Sequence, residues 1–272
     1  TLNSIDLSWT NGAITNSAWY IYYKELNATN WDSVLATTNP FTLTSLNQNS
    51  TYQAYLRTDC GTELSEATAI HNFTTACGII SNFPWTEGFE SPWISPVSPS
   101  NTSSPLCWTN INKGAGSTNL WSRGTTIHSG TGAAQMYTDN TSKNNDWLIT
   151  PMIALTGNER LRFWAQNHSA TTTEVDEISI WISNGIITSI DTTNMGQFDS
   201  IQGFIQLFQT GIPIGPWQEY EINLSQYVGN RYIAFVRRNT PDNAWNLRID
   251  DITVDNLPNC MKPTNLASNL FI

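Results

Sequence analysis

Apolar residues in this chain recur at every second position over short stretches, and turn-forming residues separate the stretches. Ile5, Leu7 and Trp9 alternate in this way, as do Trp19, Ile21 and Tyr23 beyond the turn around Asn11 and Gly12. Phe41, Leu43 and Leu46 follow, then Tyr52, Ala54 and Leu56, and Phe73 closes the series before Thr75. Successive side chains of a strand point to opposite faces, so each stretch offers one apolar face to a partner sheet. No long stretch has helical spacing. Trp 12, Phe 10 and Tyr 9 favour strands, and good helix formers such as Lys are sparse. The chain is expected to be all-β, with turns at a spacing typical of sandwiches.

A length of 272 residues suits two domains. Residues 1–76 read as a small sandwich and residues 77–259 as a larger unit, with 260–272 as a separate closing segment. Strands of the larger unit are expected at Leu161–Ala165, Ile178–Ile182, Tyr220–Ile222, Tyr232–Val236 and Leu247–Val254. So many antiparallel strands suggest a jelly roll.

The formal net charge of −10, with Lys and Arg together only 12, leaves no basic face for nucleic acid or for an anionic membrane surface. It suits solubility and cation binding. No run approaches the roughly 18 apolar residues of a membrane helix, so insertion is not expected. No basic-then-apolar leader opens the chain, which begins at Thr1 within a strand pattern and reads as a mature fragment or an excised piece. Cys60, Cys77, Cys107 and Cys260 include no CxxC pair. Their even number points to disulfides and an oxidising compartment, and they allow three connectivities.

Leu7-Ser8-Trp9-Thr10, Leu46 to Tyr52 and Phe73-Thr74-Thr75 resemble a fibronectin type III domain. The resemblance implies a core tryptophan at Trp9 and a tyrosine corner in which Tyr52 bonds back to the backbone over Leu46. The first strand of that fold is missing before Thr1, whereas Cys260 to Asn269 resembles its opening, Cys-x-x-Pro-Thr-Asn-Leu. The chain then reads as one period of a tandem repeat, or as a subunit that donates this strand to another copy. Phe83 to Glu90, Cys107-Trp108, Asp146 to Pro151, Leu161 to Trp164 and Ile249 to Ile252 resemble the cleaved-adhesin family, known from gingipains and related to MAM-like jelly rolls. Alternation of the two modules is similar to large surface proteins exported by the type IX route. The resemblance implies a Cys77–Cys107 bridge within the chain and a Cys60–Cys260 bridge between successive repeats.

Acids at two distant places form the leading site. Glu87 and Glu90 lie near the first strand of the larger unit, Asp250 and Asp251 in its last, and such strands are commonly neighbours. Ca²⁺ takes 6–8 oxygen ligands, and the cleaved-adhesin resemblance implies a structural calcium. Asp139 and Asp146, in the polar loop between, are further candidate ligands. Strand alternation sends Asp250 and Asp251 to opposite faces, which favours Asp251 with Glu90. Paired carboxylates also hydrolyse glycosides across a cleft, but nothing in the sequence indicates one, and no enzyme is expected. His128-Ser129-Gly130 lacks the first glycine of a nucleophile elbow and reads as the entry to a strand.

Loop tryptophans are the other candidates, because sugar C–H groups pack on aromatic faces: Trp93, Trp121, Trp217 and Trp245. Trp108, Trp147, Trp164 and Trp181 are assigned core or structural roles with Trp9. Ser33 and Ser200, in Asp-Ser-apolar triplets, match a bacterial O-glycosylation motif. The expected function is a repeat unit of a secreted bacterial surface adhesin or fibre, with neighbouring copies as partners and glycans as possible ones. The alternative is a carbohydrate-binding accessory module of a secreted enzyme.

Overall fold

A computed structural model describes residues 3–12, 18–48, 50–96, 100–113, 120–137, 144–168, 175–185, 190–191, 200–239 and 246–258. Every regular element among them is a strand. The chain forms two compact units, Thr1–Gly78 and Ile79–Ile272.

The smaller unit carries β1 (Ile5–Leu7), β2 (Trp19–Glu25), β3 (Asp32–Ala36), β4 (Phe41–Leu43), β5 (Thr51–Thr58) and β6 (His71–Thr74). β1 pairs with β4, and the remaining strands form a sheet in the order β3-β2-β5-β6. Leu43, Leu46, Tyr52, Ala54 and Phe73 form its core, with Ile5, Leu7, Tyr23, Val34 and Phe41 packed against them. The inward parity of each strand therefore follows the period-two pattern. Tyr52 Oη accepts the Asn47 backbone N–H at 2.8 Å and donates to Glu25 at 3.2 Å. Its hydroxyl thus ties the turn before β5 to β2, and its ring stacks on Phe73.

The larger unit begins with β7 (Trp85–Glu87), β8 (Thr109–Asn112), β9 (Ser122–Gly124), β10 (Ala133–Tyr137), β11 (Asn144–Ile149), β12 (Ile153–Thr156) and β13 (Glu159–Asn167). It continues with β14 (Val175–Ser183), β15 (Phe204–Pro213), β16 (Gln218–Asn223), β17 (Val228–Arg231), β18 (Ile233–Asn239) and β19 (Asn246–Asn256). Six strands form one sheet, β16-β13-β19-β10-β9 with β7 also on β19, and five form the other, β15-β14-β18-β11-β8. Their facing sides enclose a core that includes Phe89, Trp108, Trp121, Phe163, Ile180 and Phe235. Phe163 and Phe235 meet edge-to-face at 5.3 Å across the sandwich, a favoured aromatic geometry.

In the five-stranded sheet, β11, β18 and most of β14 are buried on both faces. Trp147, Trp181, Phe204 and Val236 form a second cluster with Ile190 and Ile201 on its far side. That is why Ile178 to Ile182 and Ile233 to Val236 read as nearly continuous apolar runs. Cys77 and Cys107 are both disulfide-bonded.

Candidate functional site

β7 pairs antiparallel with β19, placing Glu87 opposite Ile252. First and last strands of the unit are thus neighbours, and the acids near each end of the sequence meet. Between Arg162 and Trp164 the β13–β19 register shifts, so that β19 carries an extra residue, and Asp251 there takes a left-handed φ of 46°. Strict alternation required Asp250 and Asp251 to point apart. The bulge overrides it: both side chains reach the segment His128–Ser129.

Asp250 is fully buried, and its Oδ2 accepts the backbone N–H groups of His128 at 2.8 Å and Ser129 at 3.2 Å. Asp251 Oδ2 lies 2.6 Å from His128 Nδ1, and its Oδ1 accepts the Ser129 hydroxyl at 2.8 Å. Glu90 Oε2 accepts both the backbone N–H and the hydroxyl of Thr131, at 2.5 and 2.6 Å. Glu87 accepts Phe89 N–H at 2.7 Å and the Trp108 indole N–H at 3.2 Å. Three acids from two distant parts of the chain therefore hold the loop 128–131 in place. Arg123 completes the frame, donating to the carbonyls of Phe89, Glu90 and Thr131.

Burial pushes the Glu87 carboxyl above its ordinary range. The N–H groups of Phe89 and Trp108 pull it back, and the charges of Glu90 and Asp250 raise it again. Asp250 is raised by the same chief cause, against its three backbone donors and with the charge of Asp251. The crowding of negative charge is what a bound cation would relieve.

A Cβ on Gly88 would lie 3.0 Å from Glu90 Oε1 and 3.6 Å from Asp251 Oδ1. One on Gly130, whose φ is +67°, would lie 1.7 Å from Glu90 Oε1. Two glycines therefore leave room around an oxygen pair, of which Glu90 Oε1 accepts no hydrogen bond among the described residues. Glu87 and Asp250 give their oxygens to N–H donors and shape the place from behind. Among the described residues no three acidic, His or Cys side chains gather to ligate one ion. Glu90 and Asp251 are the acids nearest this space; both Asp251 oxygens are engaged by His128 and Ser129, so Ca²⁺ there would have to share them and draw its other ligands from carbonyls and water.

His128 lies flat on Trp164, with ring centroids 3.9 Å apart and an interplanar angle of 14°. Trp217 stands beside it at 5.8 Å and 66°. Trp164 was expected to be core or structural. It is half-buried on the outer face of β13, because Leu161, Phe163 and Ala165 take the inward parity. His128, expected only at the entry to a strand, is the other residue of this stack. The missed signal was the His-Ser pair before Gly130, whose polar groups each need a partner.

Other expected positions are corrected. Asp146 is on β11, not in a loop, and it is fully buried in the opposite sheet, with Asn144 Nδ2 donating to it at 3.2 Å and Arg237 opposite. It does not join the acid cluster. Trp121 is also fully buried, and its indole N–H donates to the Asp146 carbonyl at 3.2 Å, so it has no face for a sugar. Trp93 is half-buried against Phe89. Of the candidate sugar-binding tryptophans that are described, Trp93, Trp121 and Trp217, it is Trp217 that stands beside the outer His128–Trp164 stack. Ser33 is exposed on β3, whereas the Ser200 hydroxyl accepts from Arg238 at 2.9 Å. Cys60 is exposed in the turn after β5. Asp139, Trp245 and Cys260 lie outside the described residues.

Asp146 yields a pH prediction. Burial, opposed by Asn144, the Asn145 N–H and Arg237, raises its carboxyl from 3.8 to about 7. Its pKa in the unfolded chain is lower, so the folded state holds the extra proton between these values. Stability from this group is complete below pH 4 and is lost as pH rises through 7. The loss is on the order of 4 kcal/mol. Asp146→Asn is expected to flatten the fall in stability between pH 5 and 8, measured by urea unfolding; an unchanged slope would contradict the assignment.

No protein-family model matches the chain, and no curated protein matches it. Among solved structures it is similar to the K1 cleaved adhesin domain of Lys-gingipain from Porphyromonas gingivalis, at 18% identity and a TM-score of 0.48, covering 65% of this chain and 100% of that one. The K3 domain of the same protein gives 17% and 0.44 over 56% and 93%. The CBM22-1 xylan-binding domain from Paenibacillus barcinonensis Xyn10C gives 8% and 0.38 over 66% and 97%.

Proposed function

We propose that the chain is an extracellular adhesion module whose copies join by strand addition into an adhesin or fibre at a bacterial surface. The observation that carries this is in the smaller unit. β1 pairs with β4 and with no other described strand. Beside it opens a cleft of about 240 Å³, lined by Leu7, Trp9, Ile21, Ala54, Leu56 and Ala69. Trp9 Nε1 is buried there with no hydrogen-bond partner among the described residues. An apolar slot beside an unpaired strand edge accepts an extended segment: main-chain bonds go to the edge and alternate side chains go into the slot. Residues 264–272 supply that pattern, since extension puts Leu266, Leu270 and Ile272 on one side.

Disulfide bonding of Cys77 and Cys107 supports an oxidising, extracellular setting. In this reading Ca²⁺, held by Glu90 and Asp251, fixes the loop 128–131 and stiffens the larger unit. The module binds and assembles without catalysing.

The test is a peptide of residues 261–272 added to a chain ending at Pro258, followed by tryptophan fluorescence. Saturable binding is expected, and Leu266→Asp with Leu270→Asp in the peptide should abolish it. A peptide that never binds would sink the proposal.

A further inference from the structure

We propose that the corner between His128 and Trp217, on the outer face of the six-stranded sheet, binds the ring of a neutral pyranoside. The site goes beyond the self-assembly above and uses the other unit. His128 has one face on Trp164 and the other outward, and its side chain is 28% exposed. Trp217, half-buried in the turn before β16, stands at 66° to it. Two rings at this angle make an open corner. A pyranose presents C–H groups on its faces and hydroxyls at its edge, so it packs apolar on such rings while its rim stays polar.

One polar atom in the corner is aimed. His128 Nδ1 is turned to Asp251 at 2.6 Å. Nε2, on the other side of the ring, makes no hydrogen bond to any described residue and is left to meet a sugar hydroxyl, which can both donate and accept. Gln166 and Glu219 flank Trp164 and Trp217 by strand register and provide further hydroxyl partners at the rim. Charge around the corner disfavours an anionic sugar. Glu219, Asp250 and Asp251 border it, and the cations on this side are already engaged: Arg162 is ion-paired to Glu219 and Asp255, Arg248 donates to Gln166, and Arg123 donates to the carbonyls of Phe89, Glu90 and Thr131. A uronate or sialate would meet the repulsion of the acids before any uncommitted cation.

The test titrates the full chain with cello-, xylo-, manno- and galacto-oligosaccharides, and with sialyllactose as the anionic comparison, by calorimetry and tryptophan fluorescence. At least one neutral oligosaccharide is expected to saturate, and sialyllactose is not. Trp217→Ala should weaken that binding by about tenfold or more, while Trp31→Ala, in the smaller unit, leaves it unchanged. Trp217→Ala should leave self-association intact, so failure here and failure of the assembly proposal are separable. Absence of neutral binding at millimolar sugar, preference for sialyllactose, or binding that survives Trp217→Ala would overturn the site.

Discussion

Arg237→Met is expected to destabilise the larger unit by about 3–5 kcal/mol, the scale of breaking a buried ion pair by removing one partner. Arg237 on β18 is fully buried and ion-paired to Asp176 on β14, which is also fully buried. Its Nη1 donates to the Glu177 carbonyl at 2.8 Å, and its charge holds down the carboxyl of Asp146 opposite. Removing it takes the ion-pair partner from the Asp176 carboxylate between the sheets, where a buried charge without one is costly, while Asp146 opposite takes up a proton. For a unit of this size the midpoint of thermal unfolding should fall by roughly 10 °C, read by near-ultraviolet circular dichroism. Arg237→Met with Asp176→Leu should regain much of the loss, because the second change removes the stranded charge. A single variant within about 1 °C of the parent would mean that the pair contributes little.

Chelation should produce the other large effect. If Glu90 and Asp251 hold Ca²⁺, free ion at about a thousand times its dissociation constant stabilises the folded state by about 4 kcal/mol. The melting midpoint of the larger unit should then rise by roughly 10 °C between chelator and millimolar Ca²⁺. Glu90→Gln and Asp251→Asn each remove one of the charged ligands, and both variants should lose the Ca²⁺-dependent difference. The difference is the informative quantity, since Asp251→Asn also releases His128 and Ser129 and lowers the baseline. An identical midpoint with and without the ion in the parent chain would remove calcium from the account.

The strand pattern was legible because burial parity is a local property. Trp19 and Ile21, Leu161 and Phe163, and Ile178 and Ile180 all turn inward as period two requires. The same parity puts Trp164 outside, and only the general preference of tryptophan for cores argued otherwise. Meeting of the two acidic ends was also legible, from the neighbouring of first and last strands. What local pattern did not reveal was the bulge at Asp251. A left-handed backbone at a non-glycine residue is held by the surrounding contacts, here with His128 and Ser129, more than a hundred positions away along the chain. Asp146 and Trp121 were misplaced for a related reason. Each follows a polar, turn-rich stretch, yet each is buried by partners remote in sequence, Arg237 for one and the Asp146 carbonyl for the other.

Joining of copies through the smaller unit is the central claim, and sedimentation velocity of the intact 272-residue chain tests it most directly. Run across a range of concentrations beside a chain ending at Pro258, the intact chain should form species larger than 30.4 kDa whose share grows with concentration. The shortened chain should stay monomeric, and it should co-sediment with the added peptide of residues 261–272. Two chains that both remain monomers at every concentration would contradict strand addition between copies.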